Sequence, residues 1–109
     1  MLGADKPLER PDISNNAFAD YLAYVRAIMY TAWRQPPALS GVSGLVTVAQ
    51  IRIQRDGRIA QREIVRSAGN ELMDASVMAA LEAVEQLRPL PPERGDHEDI
   101  TIDFELTRP

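Results

Sequence analysis

Apolar residues recur along this chain in two rhythms, one close to four residues and one of two. The slower rhythm comes first. Phe18, Leu22, Val25, Met29 and Ala32 follow one another at helical spacing, and Tyr21 and Ile28 widen the stripe. That pattern predicts an amphipathic helix from Asn16 to Trp33. Ser14, Asn15 and Asn16 offer capping side chains before it, and Pro36-Pro37 stops it. The faster rhythm follows. Two runs rich in β-branched residues, within Gly44–Ser67, flank Asp56-Gly57 and predict a β-hairpin. Thr47, Ala49, Ile51 and Ile53 share one face of the first run, and Val46, Val48, Gln50 and Arg52 share the other. Apolar residues fall on both faces of both runs. This implies a sheet covered on one side and partly shielded on the other, with a bulge near Ala49-Gln50.

Ser67-Ala68-Gly69-Asn70 breaks the second run. Met73, Val77, Ala80, Leu81, Val84 and Leu87 then return to helical spacing, which predicts a second helix ending at Leu87 and capped by Asn70 or Asp74. Pro89, Pro91 and Pro92 end it. After a charged loop, Glu93 to Asp99, the residues Ile100, Ile102, Phe104 and Leu106 alternate strictly with Thr101, Asp103, Glu105 and Thr107. This is the cleanest half-buried strand in the chain. The order is therefore α-β-β-α-β, an α+β fold. The second strand, second helix and third strand form a crossover, so strands two and three run the same way. The economical sheet is three-stranded, antiparallel, in the order 2-1-3, and packed against two helices. Strand three is then an edge strand. Residues 1–14, with Lys6-Pro7 and Arg10-Pro11, read as a lead-in or linker end, and residues 15–109 as one domain.

The composition narrows the function. The chain has 109 residues and a formal net charge of −4. That balance speaks against nucleic-acid binding, which needs an excess of Lys and Arg. There is no cysteine, hence neither disulfide nor thiolate chemistry. No run reaches the roughly 18 apolar residues of a membrane span, and the first residues do not form a signal peptide. The opening Met1-Leu2-Gly3 reads as the start of an excised piece, with any anchor or export signal lying outside it. His97 is the only histidine and stands among Asp96, Glu98 and Asp99 without dedicated metal spacing. No nucleophile–base set and no Gly-rich phosphate loop stand in a suitable context. Glu82 and Glu85, with Arg88 nearby, read as surface pairing on a helix. Trp33 reads as a core aromatic closing the first helix, or as an exposed anchor for a partner. The residues thus point to no catalytic site, no cofactor and no metal.

Four stretches in order resemble the C-terminal domain of the TonB/TolA family of energy transducers, on its TolA-like side. They are YVRAIMYTAWRQPP (Tyr24 to Pro37), the hairpin VTVAQIRIQRDGRI, IVRSAGNELMDASVMAAL, and Pro89-Leu90-Pro91-Pro92 with the closing ITIDFEL. Met73 stands where Leu is usual, and the tyrosine–proline pair of classical TonB is absent. The resemblance implies a three-stranded antiparallel sheet on two helices. It also implies a periplasmic domain of an inner-membrane-anchored protein. Such a domain would couple an ExbB/ExbD- or TolQ/TolR-like motor, through an N-terminal region, to an outer-membrane TonB-dependent transporter or a Tol-type periplasmic partner. The partner's extended segment would add a strand to the sheet. Transferred here, the gripping edge is Ile100, Thr101, Ile102, Asp103, Phe104, Glu105 and Leu106. The alternative is a structural or self-associating module, a homodimer included, whose acidic edge keeps other partners off.

Overall fold

The computed structural model describes residues 9–107, and their side chains from Ala17 onward. The elements are α1 (Glu9–Ala32), a 3₁₀ turn (Pro37–Leu39), β1 (Val46–Gln54), β2 (Ile59–Arg66), α2 (Glu71–Ala83) and β3 (His97–Glu105). The three strands form one antiparallel sheet in the order β2-β1-β3. The first strand of the hairpin is therefore central, as the crossover argument required.

Helix α1 starts earlier than its apolar stripe suggested. Residues 1–8 of the expected lead-in lie outside the described residues, and from Glu9 onward the chain is helical. Ser14, Asn15 and Asn16 are therefore inside the helix rather than capping it. Pro11 falls in the first turn, where a missing N–H breaks no intrahelical bond. The buried line of α1 is Tyr21, Val25, Met29 and Trp33. Both helices lie on the sheet face formed by Thr47, Ala49, Ile51 and Ile53 of β1 and Ile100, Ile102 and Phe104 of β3, all buried. Trp33 belongs to this core, and its indole N–H donates to Ser76 Oγ at 2.9 Å.

The register breaks at Val48/Ala49, beside the bulge expected near Ala49-Gln50, and again at Arg52/Ile53, with the extra residue on β2 each time. Opposite Val48 and Ala49 the partners jump from Arg66 to Ile64, and opposite Arg52 and Ile53 from Gln61 to Ile59. Val65 and Ala60 are the extra residues. This explains why the apolar positions of β2 change face along its length.

The hairpin turn uses Gly57 at φ +93°. A Cβ there would run into the Leu87 carbonyl oxygen and lie 2.6 Å from that of Arg88. Glycine is needed for space as well as for handedness. The neighbour is the segment after α2, which ends at Ala83 rather than Leu87. From Val84 the chain is extended and runs along the turn. Ile59 N–H donates to Glu85 O at 3.2 Å, Leu87 N–H to Gly57 O at 2.9 Å, and Leu90 N–H to Arg55 O at 3.0 Å. Those bonds outcompete the last helical turn that the apolar spacing favoured. Arg62 then serves the helix end, donating to Leu81 O at 2.7 Å and Val84 O at 2.9 Å. Glu82 and Glu85 consequently do not share a helix face.

Asn70 is the N-cap of α2, its side chain accepting from Met73 N–H at 3.0 Å. Asp74 has another task. It accepts from Thr47 Oγ1 at 2.7 Å, from Ala68 N–H at 3.1 Å and from Ser67 Oγ. Burial pushes its carboxyl up. The bonds from Ser67, Ala68 and Thr47 outweigh that and hold it below the usual carboxylate range. Asp74 thereby fastens α2 to β1 through the fully buried Thr47 hydroxyl.

Candidate partner-binding edge

Strand β3 pairs with β1 from Gln54↔His97 to Val46↔Glu105 with no break in register. Among the described residues no strand lies on its other side. Beyond Glu105 the ladder continues through Leu106, whose N–H donates to Leu45 O at 2.9 Å and whose C=O accepts from Gly44 N–H at 3.4 Å. Leu106 therefore turns both groups inward. In an antiparallel ladder this alternates. Ile100, Ile102 and Phe104 point their main-chain groups at β1, and Asp99, Thr101, Asp103 and Glu105 point theirs away from the sheet.

The seven residues expected at the gripping edge thus divide in two. Ile100, Ile102, Phe104 and Leu106 are buried and hold the strand on the core. Thr101, Asp103 and Glu105 have exposed side chains and outward main-chain groups. This second set faces away from the core and from β1. His97 opens the strand as an exposed residue opposite Gln54. Asp99 is held by Arg52 across the pair, at 2.8 and 3.0 Å. The hydrogen bond from Arg52 lowers the Asp99 carboxyl below its ordinary range. Among the described residues no group of three His, Asp or Glu is placed to hold a metal.

Tyr30 was not singled out by the sequence, yet it touches this edge directly. Its hydroxyl donates to Asp103 O at 2.6 Å and accepts from Glu105 N–H at 3.1 Å. Its ring stacks on Phe104 at 5.4 Å with 4° between planes, and Trp33 meets both rings edge-on. The available signal was weak: Tyr30 and Trp33 are three residues apart and so neighbours on one helix surface. At the C-terminal end of the edge, Pro36, Pro37, Leu39, Leu106 and Thr107 line a shallow cavity of about 180 Å³. Nothing in the apolar pattern pointed to it.

A model of the TonB C-terminal family matches residues 18–106, from within α1 through all three strands. The chain belongs to that family. No curated protein matches it. Among solved structures, it is similar to the solution NMR structure of TolAIII bound to a peptide derived from the N-terminus of TolB. The TM-score is 0.59 at 20% identity, covering 84% of this chain and 75% of the other. At that identity the likeness speaks for the fold, and the fold is the α+β arrangement expected from the residues. Among the described residues, no helix of this TonB C-terminal domain is long and apolar enough to cross a membrane.

Proposed function

We propose that this chain is the periplasmic, non-catalytic interaction domain of a TonB/TolA-like energy transducer. Its partner is an extended segment of an outer-membrane transporter or of a Tol-type periplasmic protein. That segment adds as a strand along the outward groups of Asp99, Thr101, Asp103 and Glu105. The observation that carries this reading is the edge itself: long, unbulged and, among the described residues, with no strand on its outer side. Family membership and a fold shared with TolAIII, solved with a TolB peptide, support it. Main-chain bonds would carry load side by side, as force transmission demands. The cavity at Pro36 and Leu106 would take one apolar side chain and contribute selectivity. An ExbB/ExbD- or TolQ/TolR-like motor would act through an anchored N-terminal region. A second copy of this chain suits the edge less well, because antiparallel pairing would bring Asp103 and Glu105 of the two copies together.

The test is Thr101→Pro. The Thr101 N–H faces outward, so proline removes one donor without removing a bond to β1. Peptides from the N-termini of TolB and of a TonB-dependent transporter, both from the same organism, serve as probes. At least one should bind the native domain. The variant should lose about tenfold in affinity, the worth of one or two main-chain bonds, while its far-UV circular dichroism stays native. Unchanged affinity would contradict the reading.

A further inference from the structure

We infer that Tyr30 is a placeholder on the partner-binding edge, and that it decides where along β3 an added strand can begin to pair. The inference rests on the strand-addition reading above and deepens it.

The outward main-chain groups of β3 are not equally free. At Asp103 and Glu105 the Tyr30 hydroxyl supplies both a donor and an acceptor, at 2.6 and 3.1 Å. Those are the distances at which the N–H and C=O of an added strand would stand. Hydroxyl and incoming main chain therefore compete for one space. At Asp99 and Thr101 no described side chain makes such a bond to the main chain.

The placeholder is built to leave. Tyr30 is 40% exposed, while the Phe104 ring beneath it is fully buried. Trp33 is held independently, through Ser76 on α2. Phe104 and Trp33 therefore keep their own anchors when the phenol swings outward. The free domain consequently presents a β3 edge open at its N-terminal half and closed at its C-terminal half. A partner strand nucleates beside Asp99 and Thr101, then zips toward Glu105 by displacing the hydroxyl. The closed half also protects the free domain from edge-to-edge association.

Tyr30→Phe tests this, because it keeps the stacked ring and removes only the two bonds. In the free variant, amide exchange at Glu105 should accelerate, with Ile102 and Phe104 unchanged. Affinity for whichever of the two peptides binds should rise about three- to tenfold, as expected when one or two competing hydrogen bonds vanish. Equal or weaker binding by Tyr30→Phe, with Thr101→Pro still impaired, would overturn the placeholder and leave strand addition standing. Indifference to Thr101→Pro, or no binding of either peptide to any variant, would overturn strand addition and the placeholder with it.

Discussion

The sheet has two edges, and they are finished differently. The outer side of β2 is interrupted by the irregularities at Ala60 and Val65 and, at its hairpin end, covered by the main chain after α2. Arg62, Glu63 and Arg66 add charge to it. The outer side of β3 is regular, and one phenolic hydroxyl touches it. Bulges, charge and a covering segment are the usual ways to keep an edge from pairing. One edge uses all three. The other carries exposed acids and the Tyr30 side chain, which on the inference above rotates away. The contrast supports the proposed strand addition at β3, since the same chain closes the other edge with its own main chain.

The largest effect should come from breaking the closed edge. Gly57→Ala places a methyl group against the Leu87 and Arg88 carbonyls at positive φ. The domain should lose roughly 2–4 kcal/mol of stability in urea unfolding. The fraction still folded should bind its peptide as before, because the clash is with the main chain after α2 and β3 keeps its own pairing with β1. Next comes the fastening of α2 to β1. Asp74→Ala removes three hydrogen bonds and orphans the buried Thr47 hydroxyl, for an expected loss of about 2–3 kcal/mol. In the native protein the Asp74 carboxyl is below its unfolded value. Its contribution is therefore present above pH 3.8 and lost as pH falls through the folded value. An acid titration of Asp74→Asn should lack that component.

A smaller effect belongs to the segment after α2. Tyr21 donates to Arg88 O at 2.7 Å, and Tyr24 Oη accepts from Arg88 N–H at 3.1 Å beneath the guanidinium. Burial, with Tyr24 nearby, pushes the Tyr21 phenol up from 10.0 to about 12. A phenol harder to ionise in the fold adds stability that is whole below pH 10 and lost as pH rises toward 12. That loss should be at most about 2 kcal/mol and absent from Tyr21→Phe. The smallest effect is Arg52→Ala. The Arg52–Asp99 pair is solvent-exposed, so the unfolding midpoint should barely move. Peptide affinity should shift with salt, since the variant frees the Asp99 carboxylate beside the edge.

Much of the scaffold was legible locally. Asp56-Gly57 announced the hairpin, and the alternation from Ile100 to Leu106 announced β3. Chain direction through the crossover then left one economical strand order. What was missed depended on competition between segments. Nothing near Val84 ends a helix; β2 and the hairpin turn capture the chain there through Glu85 and Leu87. The start of α1 was missed because Pro11 and its polar neighbours look like a linker, although a first helical turn tolerates them. Asp74 looked like a second candidate cap because its partners Thr47 and Ser67 come from other segments. At the edge, alternation showed which side chains leave the core. Tyr30 could not be read from the pattern, because the bonds that matter lie 73 and 75 residues away.

The most direct measurement is residue-resolved amide hydrogen exchange with and without bound peptide. Strand addition at β3 predicts new protection at Thr101 and Asp103, with the outward-facing Arg62 and Ile64 amides of β2 unaffected. Protection on β2 instead, or peptide binding that leaves the β3 amides exchanging as before, would contradict it.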